Sequence, residues 1–282
     1  MRGYLFGYPI SHSLSPFVYG ALFADKNISL DYSSLEIKNI NEARKALHEL
    51  IDEGERFFLN VTTPLKEAMF DLLRNPQNGF KKAVIEENAI QAGGVNVLSF
   101  KDGILSACNT DGAGAAFALE RKIGSLSGKK ALICGTGPCA RSIANAFAEK
   151  GASVAFVSRN PEQTQSKLRF LSVGYKDAYR KAQSVDIIVN ATVLGMNKDD
   201  ESPLLPEAFA NAKAVLEAVY ASGTTAFEKA AQSAKVDAVV SGVEMLVAQA
   251  IAACHAIGAY EGVLDMENDT DVFDKVLNKI NR

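Results

Sequence analysis

Three short segments carry residue types that can do chemistry together: Asn60-Val61-Thr62-Thr63-Pro64-Leu65-Lys66, Asn109-Thr110-Asp111 and Cys134-Gly135-Thr136-Gly137-Pro138-Cys139-Ala140. Lys66 follows Pro64 by two residues, beside an expected helix start and just past an expected strand end, where ligands of α/β sheets collect. Asp111 stands in a similar place after a later strand. A carboxylate there can hold the lysine ammonium, and such a pair can exchange a proton with a substrate hydroxyl. In Gly135-x-Gly137-x-x-Ala140, which follows an apolar strand and opens a helix, the glycines let the backbone approach a pyrophosphate at the positive helix end. Acid/base chemistry in one half and a hydride carrier in the other is the layout of a small alcohol dehydrogenase.

Each feature also has a plainer reading. Lys66 can be a surface helix residue, Asp111 a helix cap, and the glycine turn a tight strand-to-helix connection without a ligand. Pro138 suits either reading, because proline is tolerated at a helix start. Where an NAD-binding unit places an acidic residue at the end of its second strand, this chain has Ser158-Arg159-Asn160. An arginine there pairs with a 2′-phosphate, which favours NADP over NAD; the alternative is a solvated arginine at a strand end. Ser13 and Ser15 can bind a carboxylate, and Ser15, before Pro16, is also a natural cap. His12, without a visible partner, stays outside the catalytic set.

The elements that must position these residues alternate strand and helix. Strands are expected at Tyr4-Leu5-Phe6, near Tyr32 to Ile37 and at Phe57 to Val61, with helices after Ser15-Pro16, from Asn41 to Ile51 and from Pro64. That order favours a largely parallel α/β sheet. Gly94 to Phe100 and Ile104 to Cys108 flank Asp102-Gly103 as a hairpin. A helix from about Thr110 to Ile123 leads to strands at Ala131 to Cys134, Val154 to Val157, Ile187 to Val189 and Val215 to Ala218, as a doubly wound sheet requires. Asn197 to Ser202 is the expected flexible loop. Two domains are predicted: residues 1–108, completed by C-terminal helices at about 245–282 that return to pack on it, and a dinucleotide-binding domain at 109–244.

Composition closes off other classes. The 282 residues carry a net charge of −3, with 48% apolar and 22% charged residues, so no polyanion-binding bias exists and nucleic acid is not an expected partner. No run of ~18 uncharged apolar residues would span a bilayer, and no signal peptide is evident, which makes the cytoplasm the expected compartment. Cys108, Cys134, Cys139 and Cys254 lack the Cys-x-x-Cys spacing, and His12, His48 and His255 are scattered, so no metal is expected.

Read together, the segments resemble the shikimate dehydrogenase family over nearly the whole chain. Gly7-Tyr8-Pro9-Ile10-Ser11-His12-Ser13-Leu14-Ser15-Pro16 is similar to the family's opening motif, which implies that Ser13 and Ser15 bind the substrate carboxylate. Asn60 to Lys66 is similar to its catalytic segment, making Thr62 a substrate contact and Lys66 the proton-transfer residue. Gly94-Val95-Asn96 and Asn109-Thr110-Asp111 resemble the next two, implying that Asn96 and Asp111 bind ring hydroxyls and that Asp111 partners Lys66. Asn190-Ala191-Thr192-Val193-Leu194-Gly195-Met196 resembles the signature beside the nicotinamide ribose. Tyr220 and Gln249 match substrate-side positions, and Gly242 and Met245 the segment along the nicotinamide. With Gly135, Thr136, Gly137, Pro138, Cys139, Ser158, Arg159, Asn160, Ala191 and Thr192, they complete the implied NADP site.

The resemblance implies reversible reduction of 3-dehydroshikimate by NADPH in aromatic amino acid biosynthesis, by a monomer or homodimer acting on a small-molecule substrate. Several residues depart from the family pattern: Tyr19-Gly20 for a usual His-Asn pair, Phe58 for a glycine, Glu217 for an aspartate, Ser222 for a proline, and no aromatic in the helix after Gln249. Three alternatives stand beside it. They are a quinate/shikimate dehydrogenase using NAD, a folate-linked dehydrogenase of similar shape, and a non-catalytic sensor of shikimate or quinate.

Overall fold

The computed structural model describes residues 1–80, 83–220 and 223–281; Ser222 therefore lies outside the described residues. The chain forms two compact units, Met1–Thr110 with Ala250–Arg282 and Asp111–Gln249.

The first unit runs β1 (Arg2–Gly7), α1 (Ser15–Asp25), β2 (Asp31–Glu36), α2 (Ile40–Asp52), β3 (Phe57–Val61), α3 (Lys66–Arg74), β4 (Val84–Ile85), α4 (Glu87–Ala92), β5 (Val97–Lys101) and β6 (Ile104–Cys108). Its sheet order is β2-β1-β3-β5-β6-β4. β3 reads Phe-Phe-Leu-Asn-Val and is buried at every position, as befits a strand covered on both faces. α2 shows the opposite pattern. It buries only Ala43, Leu47 and Leu50, and the Asn39 side chain caps it by accepting from the amides of Asn41 and Glu42.

The sheet is mixed rather than largely parallel, because β5 runs antiparallel to both β3 and β6. The Asp102-Gly103 turn accounts for the β5–β6 part of this: both residues adopt left-handed φ angles of 52° and 75° and reverse the chain within two residues. A second difference concerns α3, which starts at Lys66 and not at Pro64. The Leu65 amide donates to the Thr62 carbonyl (2.9 Å), so residues 62–65 form a turn before the helix begins.

The second unit runs α5 (Asp111–Ile123), β7 (Lys130–Cys134), α6 (Pro138–Glu149), β8 (Ser153–Ser158), α7 (Pro161–Lys167), β9 (Leu171–Gly174), α8 (Tyr175–Ala182), β10 (Ile187–Asn190), β11 (Ala214–Glu217), α9 (Ala226–Ser233), β12 (Ala238–Val240) and α10 (Gly242–Ala256). Every pairing in its sheet, ordered β12-β11-β10-β7-β8-β9, is parallel. This is the doubly wound order, with the topological switch between β7 and β10. The strands β4, β9 and β12 have two to four residues, too few to show a period in sequence.

The apolar helix α10 runs out of the second unit at Gln249, and its last residues and α11 (Met266–Ile280) belong to the first. There the Tyr260 hydroxyl donates to the Leu22 carbonyl (3.0 Å) and Arg56 Nη2 to the Ile257 carbonyl (3.0 Å). α11 lies against α1, turning Val272, Phe273 and Val276 inward. The segment at Asn197 to Ser202 is a hydrogen-bonded turn in which Asp200 Oδ2 accepts from the amides of Gly195 and Asn197, both at 3.0 Å.

Candidate active site

In the first unit the strand pattern gathers the motif segments at one end of the sheet. β1 and β3 are parallel neighbours with Phe6 opposite Val61, so the loops that follow them, with Ser13 and Ser15 in one and Thr62 and Lys66 in the other, leave the sheet side by side. The Thr62 amide donates to the Phe6 carbonyl (2.9 Å) and the Tyr8 amide to the Thr63 carbonyl (3.0 Å). Because β5 is antiparallel to β3 and β6 to β5, Asn96 enters and Asn109 leaves at that same end.

Side chains fix these segments to one another. The Asn96 amide group holds Thr110 twice, donating from Nδ2 to Thr110 Oγ1 (3.0 Å) and accepting at Oδ1 from the Thr110 amide (2.9 Å). Asn109 Nδ2 donates to the Gly94 carbonyl (2.9 Å), and the Asn109 amide donates to Asn88 Oδ1 (2.9 Å). The Val95 amide donates to the Lys66 carbonyl (3.0 Å). Lys66, Asn96 and Thr110, the residue before Asp111, are thus joined by one chain of bonds. Ser13 Oγ lies 3.2 Å from Ser15 Oγ and accepts from the Ser15 amide (3.2 Å), so the two hydroxyls form a pair at the start of α1.

The departures Tyr19 and Phe58 are wholly buried and form part of an aromatic cluster. Tyr19 stacks on Tyr32 (centroids 5.5 Å apart) and Phe58 on Phe23 (5.5 Å), with Tyr19 tilted against Phe58 (5.3 Å). Within it Asn60 donates from Nδ2 to the Tyr19 hydroxyl and accepts at Oδ1 from the Tyr32 hydroxyl, both at 2.8 Å. Tyr19 therefore anchors Asn60, while Phe58 joins β3 to the aromatic cluster.

The second unit builds its site from backbone. Gly135 takes φ 101°, and a Cβ there would lie 2.7 Å from the Ala191 carbonyl oxygen, so only glycine fits where the ends of β7 and β10 meet at the switch point. Gly137 is the N-cap of α6, with Pro138 following, no side chain capping the helix and open space around its missing Cβ. The N-cap thus offers no side chain at this positive helix end, and the glycine leaves room for a phosphate to approach, so the residues present fit a pyrophosphate. Arg141 Nη1 closes the turn by donating to the Thr136 carbonyl (3.0 Å). Cys139 follows Pro138 in the first turn of α6, partly buried.

At the end of β8 the buried Ser158 hydroxyl lies 2.9 Å from Thr164 Oγ1 and faces inward, whereas Arg159 and Asn160 are exposed. After β10, Asn190 Oδ1 accepts from the Thr192 amide (3.1 Å) and hydroxyl (2.7 Å), which shapes the Ala191–Thr192 turn. Gly242 opens α10 where a Cβ would stand 2.1 Å from the Val219 carbonyl oxygen, and Tyr220 follows Val219. Met245 is buried in α10, and Gln249 Nε2 donates to the Leu246 carbonyl (3.2 Å). Sequence reasoning did not single out Asn60 or Arg141; a polar residue near the end of an apolar strand was the available signal for the first. Among the described residues no group of three or more His, Cys, Asp or Glu is arranged to hold a metal, and no helix is long and apolar enough to cross a membrane.

A doubly wound parallel sheet with a glycine turn at its switch point, joined to a mixed sheet with polar residues gathered at one end, defines a two-unit dinucleotide-binding class. The shikimate dehydrogenase substrate binding domain matches residues 5–98. A shikimate dehydrogenase (NADP(+)) of Xanthomonas euvesicatoria is 32% identical over 87% of this chain and 86% of its own length. That of Methanothermobacter thermautotrophicus is 32% identical over 98% of this chain and 96% of its own. A crystal structure of a shikimate dehydrogenase in complex with NADP+ is 26% identical, covers 100% of this chain and 96% of its own, and superposes with a TM-score of 0.81. The chain belongs to the shikimate dehydrogenase family.

Proposed function

We propose that this protein catalyses the reversible NADPH-dependent reduction of 3-dehydroshikimate to shikimate. The observation that carries the reading is the glycine turn at the switch point of a fully parallel sheet, in a chain that also gathers Ser13, Ser15, Thr62, Lys66 and Asn96 at one end of a second sheet. The amides of Thr136, Gly137 and Cys139 would hold the pyrophosphate, with Gly135 making the turn as its own amide donates to the Val157 carbonyl (3.1 Å), Pro138 opening α6, Arg159 and Asn160 at the 2′-phosphate and the Ser158 backbone leading into them. Ala191, Thr192, Gly242 and Met245 line the nicotinamide side. When bound, NADPH supplies the hydride.

The first unit, as substrate domain, supplies the serine pair, Thr62, Asn96 and the proton-donating lysine, and Asp111, Tyr220 and Gln249 are further substrate residues on the second. Ser13 and Ser15 donate to the substrate carboxylate, and their pairing at the start of α1 sets both hydroxyls before the substrate arrives. Thr62, Asn96, Asp111, Tyr220 and Gln249 orient the ring and its hydroxyls. Lys66 Nζ delivers a proton to the oxygen that was the ketone, with Asp111 holding the ammonium in place, and the same lysine accepts the proton in the reverse direction. The four free cysteines agree with a reducing compartment, and we place the reaction in the cytoplasm, on the route to aromatic amino acids.

Lys66→Ala tests the assignment. Turnover of shikimate with NADP+ should fall by about 10²- to 10⁴-fold, with a smaller change in substrate binding. Unchanged turnover would remove Lys66 from the proton-transfer role.

A further inference from the structure

The last residue of β11, Glu217, is fully buried and departs from the aspartate common at its position. Its carboxylate accepts four hydrogen bonds from three donors. Asn190 Nδ2 reaches both oxygens (2.9 and 3.1 Å), the Val219 amide donates to Oε1 (3.0 Å) and the Thr225 hydroxyl to Oε2 (2.9 Å). Each donor belongs to a different segment: the end of β10, the loop after β11, and the cap of α9.

The bonds continue outward. Asn190, held by Glu217, accepts from both the amide and the hydroxyl of Thr192, and Thr192 Oγ1 accepts in turn from the Leu194 amide (3.1 Å). Val219, held by Glu217, presents its carbonyl where Gly242 opens α10. One carboxylate therefore ties together the Ala191–Thr192 turn, the Val219–Tyr220 loop and the start of α10. We propose that Glu217 is a positioning residue that fixes the nicotinamide-side half of the cofactor site as a single rigid wall, while the adenosine-side half, built on Gly135–Cys139 and Arg159–Asn160, stands without it. The proposal rests on the cofactor reading given above.

The chemistry suits such a hub. A carboxylate has two oxygens that only accept, enough for all three donors at once, and an amide in its place would set an N–H against one of them. Burial pushes the carboxyl up to about 7 in spite of those donors, with Glu228 on α9 adding like charge.

The test separates the two halves of the cofactor. In Glu217→Ala, turnover should fall by about ten-fold or more and NADP+ should bind more weakly, while adenosine 2′,5′-bisphosphate binds within about two-fold of wild type. Equal weakening of both ligands, or turnover within about two-fold of wild type, would overturn the proposal. Should that variant fail to fold, Glu217→Gln, which preserves shape and two of the acceptor contacts, should show the same split between ligands at smaller amplitude; no split would count against the role. The proposed reaction is tested separately by wild type. If wild type binds NADP+ but does not turn over shikimate, that reading fails, and the comparison between NADP+ and the bisphosphate still decides the role of Glu217.

Discussion

The two units each gather their motif residues at the end of a sheet, with different materials. The first uses side chains: Asn96, Asn109 and Asn60 brace their own loops with paired amide bonds, and the hydroxyls of Ser13 and Ser15 brace each other. The second uses backbone: Gly135 and Gly242 are defined by the space they leave empty, and Glu217 ties the end of β10 to the Val219–Tyr220 loop. A site of the first kind is sensitive to the loss of a polar group, and one of the second kind to the gain of a methyl.

The largest effect on stability should come from Glu217. Its folded-state value near 7 lies above the ordinary 4.5, so the folded protein keeps a proton that the unfolded chain has released between those values. That contribution is fully present below the lower value and is lost as pH rises through the upper one, an amount on the order of 3 kcal/mol. Denaturation midpoints taken at about pH 5 and about pH 8 should therefore fall further in wild type than in Glu217→Gln. An identical drop in both proteins would remove Glu217 as the source.

Two glycines sharpen the backbone side. Gly135→Ala should destabilise the protein by about 1–3 kcal/mol, since the new methyl meets the Ala191 carbonyl and φ is 101°. Gly137→Ala should fold as wild type does, because its φ is −73° and nothing lies within 4 Å of the added carbon, yet should bind NADP+ about ten-fold more weakly. Calorimetry and a binding titration check both; equal loss of stability in the two would contradict the distinction.

The smallest expected effect lies on the side-chain side. Asn96→Ala leaves the buried Thr110 amide without its acceptor and should cost about 1–2 kcal/mol in urea denaturation. Thr110→Ser keeps that hydroxyl and amide, and should cost less.

Much of this was legible in the chain because the responsible signals are local. Gly135-x-Gly137 between an apolar strand and Pro138 announces its turn, Asp102-Gly103 its hairpin, and Phe57–Val61 its buried strand. The mixed order of the first sheet was not legible. A hairpin read from sequence does not say which strand it joins, and β5 pairs with β3 across thirty-odd residues of chain, roughly, that contain two helices and a short strand. Glu217 was legible only as a departure. Its partners Asn190, Val219 and Thr225 meet through the parallel pairing of β10 with β11, which no local pattern encodes.

The central claim is that the chain recognises shikimate, moves the proton through Lys66 and uses NADP as its hydride carrier. The measurement that tests it most directly is nicotinamide reduction by the purified protein, with shikimate and quinate each paired with NADP+ and NAD+. Shikimate with NADP+ should dominate. Comparable rates with quinate or NAD+ would move the protein to the broader quinate/shikimate activity, and no rate in any pairing, with ligand binding intact, would contradict the account and leave a binding protein in its place.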